Sequence, residues 1–329
     1  MKISKTLLAL GLGAVLASTS MFAQADDKVV IGFSQIGAES EWRTANTNDV
    51  KAAAEEMGIE LKFSDAQQKQ ENQIKAIRTF IAQKVDLIGF VPIVETGWDN
   101  ILREAKRAKI PVVIMDRDLK VADDSLYVAK IGTNSYEEGV KAFNWIDEYC
   151  TKNNVKPRNG GSTINIAILE GTVGASAATG RGHGFNDALA KSPNKDKYKI
   201  IASQTGDFTR AKGQEVMESY LKSFGGDIDV LFSQNDDMAL GAIQAIEAAG
   251  LKPGKDIIIV GCDAVKGMFQ AMIDGKANCT IECNPLQGKI FFETALKVLK
   301  GEPVEKQVYV EEGVFPAETA AEIFPTRKY

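Results

Sequence analysis

The segment Val112-Val113-Ile114-Met115-Asp116-Arg117 decides the fold, because it reads as a buried strand that ends in polar residues. Continuous apolar runs of this kind are typical of parallel sheets that are covered on both faces. Three further runs have the same form: Val29-Val30-Ile31-Gly32-Phe33-Ser34, Val230-Leu231-Phe232-Ser233-Gln234-Asn235-Asp236 and Ile257-Ile258-Ile259-Val260-Gly261-Cys262-Asp263. Ligands of parallel α/β sheets lie beyond the carboxyl ends of the strands. The four polar ends therefore predict a cleft that holds a small polar ligand between two lobes.

Strand-like and helix-like patterns alternate along the chain. From Val29 to Met115 the order is β-α-β-α-β-α-β, with apolar residues at helical spacing between the strands. A further strand is predicted over Leu126 to Asn134, and a second β/α series follows it. About 300 residues exceed one compact core, so the prediction is an α/β protein with two doubly wound parallel-sheet lobes. The second series has predicted strands at 164–169, 199–201, 230–232 and 257–260.

The first 25 residues have the features of a signal peptide. Lys2 and Lys5 form a basic region, residues 7–17 an apolar region, and Ala23-Gln24-Ala25 a small-residue cleavage site. The apolar stretch is shorter than the about 18–20 residues of a membrane-spanning helix. We therefore expect export to the periplasm, removal of residues 1–25, and a mature chain that does not span the membrane.

The charge of the mature chain argues against a nucleic-acid partner. Without Lys2 and Lys5, 37 basic residues stand against 44 acidic ones, a net charge of −7. The sequence has no basic block that could follow a phosphate backbone.

The cysteines and the single histidine indicate neither a metal site nor a cofactor. Four cysteines allow three disulfide pairings, between which the sequence does not choose: Cys150, Cys262, Cys279 and Cys283. Cys279 and Cys283 lie four steps apart in one predicted strand, roughly 13 Å, which is too far for a bridge. Unpaired or partly paired thiols are expected. His183 has no ligand spacing for zinc and no nucleophile beside it, so it is interpreted as a bystander.

Five segments are distinctive when they are taken together: Gly32-Phe33-Ser34-Gln35, Gln67-Gln68-Lys69-Gln70-Glu71-Asn72-Gln73-Ile74-Lys75-Ala76, Gly171-Thr172-Val173-Gly174-Ala175-Ser176, Gly206-Asp207-Phe208-Thr209-Arg210 and Asn235-Asp236-Asp237-Met238 with 241–246. Over essentially the whole mature chain they resemble the periplasmic sugar-binding proteins of ABC transporters, in the group related to the ribose-binding protein. The similarity is greatest to the galactofuranose-binding members.

The resemblance implies a type I periplasmic binding protein fold with a three-segment hinge. Lobe 1 would comprise residues 26–132 plus 284–311, and lobe 2 residues 133–283 plus 312–329. A monosaccharide, galactofuranose in the first place, would bind in the cleft as the lobes close. The implied partner is a membrane permease, and the receptor would be monomeric, without a cofactor and without catalytic residues.

A sugar offers hydroxyl groups that donate and accept, together with apolar C–H faces. Arginine supplies a rigid donor fork, carboxylates accept twice, asparagine does both, and an aromatic ring gives a platform. The family has an Asp-Arg pair at Asp116-Arg117 and a ligand-binding arginine at Arg181, whereas it has Gly where this chain has Glu41. The predicted ligand-binding residues are Glu39, Ser40, Glu41, Trp42, Arg43, Asp116, Arg117, Arg181, Asn235 and Asp263. Phe208 and Trp98 are secondary aromatic candidates.

Structural roles are alternatives for several of these residues. Ser40 is a candidate N-cap with Glu41 against the helix dipole, Asp263 a candidate cap, and Asp116-Arg117 a candidate surface ion pair. After the strand at 230–232, Asp236 is the better candidate for the helix cap, which would leave Asn235 to face the cleft.

Other functions fit the sequence less well. A sensory receptor for a sugar or an autoinducer shares the predicted fold, and lobe surfaces would distinguish it. A glycoside-acting enzyme could use Glu39 and Asp116, but the abundance of Arg and Asn favours holding a sugar over cleaving it. A repressor would need a DNA-binding headpiece, which is not seen in the sequence. The segment Gly171-Thr172-Val173-Gly174-Ala175-Ser176 lacks the lysine of a phosphate-binding loop.

Overall fold

The computed structural model describes residues 28–329, so the predicted signal peptide lies outside the described residues. Two six-stranded sheets form the framework, and helices cover both faces of each sheet. This arrangement confirms the predicted fold class. Among residues 28–329, no helix has the length and apolar character needed to cross a bilayer.

The first sheet is built from β1 (Val30–Gln35), β2 (Glu60–Asp65), β3 (Leu87–Phe90), β4 (Val112–Asp116), β5 (Ala129–Gly132) and β11 (Gln307–Tyr309). It is parallel throughout and has the strand order β2-β1-β3-β4-β5-β11. The order reverses direction between β1 and β3, which opens a crevice at the carboxyl ends of the strands.

The second sheet is built from β6 (Ile164–Glu170), β7 (Tyr198–Thr205), β8 (Val230–Ser233), β9 (Ile258–Asp263), β10 (Cys279–Glu282) and β12 (Val314–Pro316). It repeats the order of the first sheet as β7-β6-β8-β9-β10-β12. Only its last strand differs in direction, because β12 pairs antiparallel with β10.

Each sheet has an apolar core on both faces, as continuous apolar strands require. In the first sheet Phe33 packs edge-on against Phe291 on one face, and Phe90 contacts Trp98 on the other. The helices that supply these cores are α1 (Glu41–Glu56), α2 (Gln70–Ala82), α3 (Asp99–Arg107), α4 (Ser135–Lys152), α5 (Ser176–Lys191), α6 (Arg210–Phe224), α7 (Asp236–Ala248), α8 (Lys266–Ile273), α9 (Gly288–Leu299) and α10 (Ala317–Ile323).

The chain passes from one sheet to the other three times. The first connection joins β5 to α4, the second joins β10 to α9, and the third joins β11 to β12. Below, lobe 1 denotes the first sheet with the helices packed on it, and lobe 2 the second sheet with its helices. The crevices of both sheets open toward the space between the lobes.

Two details differ from the sequence-based expectation. The strand predicted over Leu126 to Asn134 is confined to β5, because a 3₁₀ turn precedes it and the Asn134 side chain accepts a hydrogen bond from the Glu137 N–H as the cap of α4. The short strands β11 and β12 were not predicted, since three residues carry too little periodicity and their pairing partners are distant in sequence.

All four cysteines are buried and have free thiols, as expected. Burial raises the pKa of the Cys150 thiol to about 12 and the pKa of the Cys283 thiol well above its usual value. Buried thiols with raised pKa values are poor nucleophiles, so these residues act as small apolar side chains.

Candidate functional site

A cavity lined mostly by polar side chains lies between the lobes at the carboxyl ends of the strands. Nine of the ten predicted ligand-binding residues line it, and Glu41 is the exception. The lining consists of Glu39, Ser40, Trp42, Arg43, Asp116, Arg117, Ala177, Arg181, Phe208, Asn235, Asp263 and Cys283.

Lobe 1 holds Arg43 in a dense network on the floor of the cavity. The Arg43 Nε donates to Glu39 at 3.1 Å, Nη1 donates to Gln35 at 3.3 Å and to Asn46 at 3.5 Å, and Nη2 donates to Asp116 at 2.8 Å. A guanidinium has five N–H donors, so one Nη2 N–H remains for a ligand. Burial alone would lower the pKa of Arg43, but Asp116 and Glu39 raise it, and the group stays charged.

Asp116 pairs with Arg43 and not with its neighbour Arg117. Asp116 has a left-handed backbone (φ 63°), which turns the chain sharply at the end of β4 and sends the two side chains apart. Both residues are buried, so the surface ion-pair alternative is wrong.

Arg117 and Glu39 keep buried polar atoms without a protein partner. The Arg117 Nη1 donates to the Ile93 carbonyl oxygen at 3.0 Å, but its Nε has no acceptor, and Glu39 Oε2 has no donor. Burial, followed by the charge of Arg43, lowers the pKa of Arg117 to about 10. Buried polar atoms without partners are costly, so a polar ligand that pairs them is strongly favoured.

Lobe 2 contributes Arg181 from the second turn of α5. The Arg181 Nε donates to Glu138 Oε2 at 2.5 Å, Nη1 donates to the Gln234 carbonyl oxygen, and Nη2 lies 3.6 Å from Asp263 Oδ1. Burial alone would lower the pKa of Arg181, but Glu138 raises it, so the guanidinium stays charged. Burial raises the pKa of Asp263 well above its usual value, although Arg181 opposes the shift.

Two aromatic rings flank these charges. The Phe208 ring centroid lies 5.2 Å from the Arg117 guanidinium and 5.8 Å from that of Arg181, within the range of cation–π attraction. The Trp42 ring lies 4.5 Å from the Arg43 guanidinium, and its indole nitrogen donates to the Cys283 carbonyl oxygen. Phe208 thus belongs to the cavity, whereas Trp98 is fully buried in the core of lobe 1 and donates to the Val94 carbonyl oxygen.

The capping expectations have a mixed outcome. Ser40 is the N-cap of α1, since its Oγ accepts from the Arg43 N–H at 3.0 Å, and it also lines the cavity. The expectation for Asp236 is wrong: Asn235 caps α7 by accepting from the Met238 N–H at 2.9 Å. Asp236 is turned inward and accepts from Thr280 Oγ1 instead, since a buried carboxyl group is stabilised by hydrogen-bond donors.

Asp263 does not cap a helix either. The residue before α8 is Val265, and Asp263 has a positive φ of 127°, a strained backbone conformation for a residue with a side chain. Strain of this kind concentrates at ligand sites, where surrounding structure holds it in place.

Glu41 and His183 lie outside the cavity. The Glu41 backbone N–H donates to Asp237 Oδ2 at 2.7 Å, and its carboxylate lies 3.8 Å from Arg210 Nη2, so it bridges the lobes at the rim. Burial raises the pKa of Glu41. His183 is exposed in a separate groove.

Direct hydrogen bonds join the lobes on both sides of the cavity. The Asp118 N–H donates to Ser176 Oγ at 2.8 Å, and the Glu95 N–H donates to the Gly174 carbonyl oxygen at 2.9 Å. Together with the Glu41 contact, these bonds close the cavity from both rims, so the lobes are in a closed arrangement.

Some residues of the site escaped sequence reasoning. Ala177 and Cys283 line the cavity, and Glu138 and Gln234 hold Arg181. Ala177, Cys283 and Glu138 are not polar residues at the end of a strand. Only Gln234 carried a usable signal, because it directly follows β8.

Two α/β lobes that enclose a polar cavity at the carboxyl ends of their strands define a solute-binding protein. Residues 31–303 match the family model described as a periplasmic binding protein domain. The chain belongs to this family, which confirms the resemblance stated from the sequence.

Three relatives place the chain within the family. It is 45% identical to the galactofuranose-binding protein YtfQ of Escherichia coli (strain K12), over 96% of each chain. It is 51% identical, with a TM-score of 0.84 and coverage of 91% and 95%, to the arabinose ABC transporter binding protein of Shewanella sp. ANA-3 bound to α- and β-L-arabinofuranose. A Mycobacterium smegmatis protein in complex with β-D-fucofuranose is 49% identical, with a TM-score of 0.86 and coverage of 92% and 95%.

Proposed function

We propose that this protein is the periplasmic receptor of a sugar ABC transporter and that it binds one monosaccharide in its furanose form, galactofuranose in the first place. Of the three relatives named above, one binds galactofuranose and the other two are solved with bound arabinofuranose and fucofuranose. D-galactose, D-fucose and L-arabinose share the configuration of C2, C3 and C4, so their furanose rings differ only in the exocyclic chain. One set of polar groups in the cavity would therefore recognise the ring that the three sugars share.

The observation that carries the proposal is the pair of buried polar atoms in the cavity that have no protein partner, one an acceptor and the other a donor. The cavity already holds groups of both signs, since three guanidinium groups and three carboxyl groups line it. A further charge on a ligand would be costly to bury at low dielectric, whereas an uncharged polyol brings none. Its hydroxyl groups can donate to Glu39 Oε2 and accept from Arg117 Nε.

The preference for the furanose form rests on the three relatives, whose ligands are all furanoses. A pyranose that enters a cavity shaped for a five-membered ring leaves donors unpaired, at about 1–3 kcal/mol for each group. A free hexose populates its furanose form only slightly, so the apparent affinity for free sugar falls by that fraction.

Closure of the lobes would accompany binding. Ligand contacts from both lobes form together only in the closed arrangement, so the sugar shifts the population toward it. We place the lobes at residues 26–132 plus 284–311 and 133–283 plus 312–329, with the three connections as the hinge. The closed monomer would then be recognised by the membrane permease.

Catalysis is not part of the proposal. Glu39 and Asp116, the carboxylates that a glycoside-acting enzyme would use, both accept hydrogen bonds from Arg43. Groups held in this way are suited to fixing a hydroxyl, whereas a glycosidase needs one carboxyl that carries a transferable proton. Release of aryl alcohol from aryl furanosides would contradict this part of the proposal.

Calorimetry with locked sugars tests the proposal. The mature protein is titrated with methyl galactofuranoside, methyl galactopyranoside and free galactose, and both methyl anomers of each glycoside are used. We expect the furanoside to bind more tightly than the pyranoside, and free galactose to bind more weakly than the furanoside. Equal or tighter binding of the pyranoside would overturn the ring-form proposal, and no binding of either would overturn the sugar-receptor proposal.

A further inference from the structure

A cluster behind Arg181 brings together residues from the second and third connections between the lobes and one residue from the helix that follows the first. Glu138 follows the first connection in the first turn of α4, Cys283 lies in the second connection, and Glu312 lies in the third. One carboxylate oxygen from each glutamate and the Cys283 sulfur lie within 4.8 Å of one another. The cluster therefore sits where the proposed hinge and the ligand cavity meet.

One oxygen of this cluster has no partner. Glu138 is fully buried, and its Oε2 accepts from Arg181 Nε, but its Oε1 has no donor. Glu312 accepts from the Asn284 N–H through Oε1 at 3.3 Å. A carboxylic acid at Glu312 would supply the missing donor.

The surroundings favour a proton in this position. Burial, followed by the negative charge of Glu138, raises the pKa of Glu312 to about 10. The carboxylate oxygens of Glu138 and Glu312 lie within 4.8 Å of each other, and like charges repel strongly at that separation, so the two groups do not both ionise.

The other groups near the pair do not replace that proton. Arg181 faces it from α5 and is already bonded to Glu138, with Asp263 and Cys262 behind it on β9. Lys141 on α4 donates to the backbone carbonyl oxygen of Glu312, not to its carboxyl group.

A metal ion fits the cluster less well than a proton. Burial keeps Cys283 in its thiol form, whereas a metal ligand must be a thiolate. The Arg181 guanidinium, bonded to Glu138, would also repel a cation at this site.

We propose that Glu312 is a positioning residue, which as a neutral carboxylic acid donates a hydrogen bond to Glu138 Oε1 and through Glu138 holds Arg181 in place at the cavity. This inference rests on the proposed function. Because Glu138 and Glu312 come from distant segments of the chain, the hydrogen bond between them forms only when these segments are together. Loss of the proton places a second negative charge in the cluster. Repulsion then separates Glu312 from Glu138, and Arg181 is released from its ligand-binding orientation.

Infrared spectroscopy tests the proton without any ligand. The carbonyl band of a carboxylic acid is distinct from that of a carboxylate. We expect the difference spectrum between wild type and Glu312→Gln at pH 7 to contain this band, and the spectrum of the control Glu311→Gln to match wild type, since Glu311 is an exposed neighbour. A difference spectrum without the band would overturn the proposal, as would metal in the purified protein that Glu312→Gln removes.

Titration with methyl galactofuranoside tests the positioning role. Glu312→Gln keeps a neutral donor and is expected to bind as wild type does, whereas Glu312→Leu is expected to lose about tenfold in affinity at pH 7. Between pH 7 and pH 10 wild type should lose more affinity than Glu312→Gln. Titration of Arg117, whose pKa is about 10, affects both proteins equally and cancels in this comparison. Equal affinities and equal pH profiles would overturn the positioning role. Failure of wild type to bind any furanoside would instead count against the proposed function, while the infrared result would stand alone.

Discussion

The indole N–H of Trp42 donates a hydrogen bond of 2.5 Å to the carbonyl oxygen of Cys283. Trp42 is carried by α1 of lobe 1, yet its ring packs into the apolar core of lobe 2, and Cys283 lies in the second connection. One side chain thus ties the first lobe to both the second lobe and the proposed hinge.

Replacement of this tryptophan should weaken sugar binding. Trp42→Phe leaves the buried Cys283 carbonyl oxygen unpaired, which costs about 1–3 kcal/mol, or roughly tenfold in affinity if the cost falls on the closed form. Calorimetry measures the affinity, and small-angle scattering with saturating furanoside measures closure. Trp98→Phe is the matched control, because Trp98 is equally buried but lies in the core of lobe 1, so affinity should not change. Equal losses in both variants would contradict the role of Trp42 between the lobes.

Arg117 should matter for binding and not for stability. Among the described residues no carboxylate lies within ion-pair distance of Arg117, and burial lowers its pKa to about 10, so the fold disfavours its charge. Arg117→Gln is expected to lower affinity about ten- to hundredfold while the melting temperature stays equal to that of wild type or rises. Arg78→Gln, at an exposed ion pair with Glu104, should change neither. A lower melting temperature with intact affinity would reverse the assignment.

Close packing of α4 and α5 positions Arg181. A Cβ added to Gly139 would lie 2.1 Å from the Arg181 carbonyl oxygen, so α5 would have to move. Gly139→Ala should therefore cost about 1–3 kcal/mol of stability and also weaken binding. Gly182→Ala, in α5 itself, meets its nearest atom at 3.5 Å and should be tolerated. Chemical denaturation and calorimetry of the two variants provide the comparison, and tolerance of Gly139→Ala would show that this contact does not set the position of Arg181.

The free energy of unfolding should fall as the pH rises from acid to alkaline, and Glu312 should be a cause of this fall. The unfolded carboxyl ionises near 4.5, whereas the folded one ionises near 10, so the folded state holds an extra proton between these values. The stabilisation is complete below the lower pKa and is lost as the pH rises through the higher one. Glu312→Gln removes this dependence, so its melting temperature should fall less than that of wild type from pH 5 to pH 9. Parallel curves for the two proteins would mean that Glu312 is ionised in the folded state.

The local sequence was sufficient for the alternation of strands and helices. Continuous apolar strands, polar residues where those strands end, and a serine before α1 are signals within a few residues of one another. Trp42, Arg43 and Arg181 were predicted with the help of the resemblance to a known family. The local signals predicted two parallel-sheet lobes and the cavity residues Ser40, Asp116, Arg117, Asn235 and Asp263. They succeeded because burial of a strand and satisfaction of the first turn of a helix are local requirements.

Only the tertiary structure decided how those residues pair. Asp116 bonds to Arg43 and not to the adjacent Arg117, because the backbone turn at Asp116 separates neighbours in sequence. Likewise, the preference for Asp236 as a cap failed because Thr280, from another strand, offered it a buried partner.

The contact between Glu138 and Glu312 depends entirely on the fold. Glu138 lies in the first turn of α4 and Glu312 in the third connection, and no spacing in the sequence relates them. Their proximity, and the raised pKa of Glu312 that follows from it, exist only after three chain segments have been brought together and water has been excluded from between them. The energies of buried charges depend on such long-range neighbours, whereas the energies that form strands and caps depend on local ones.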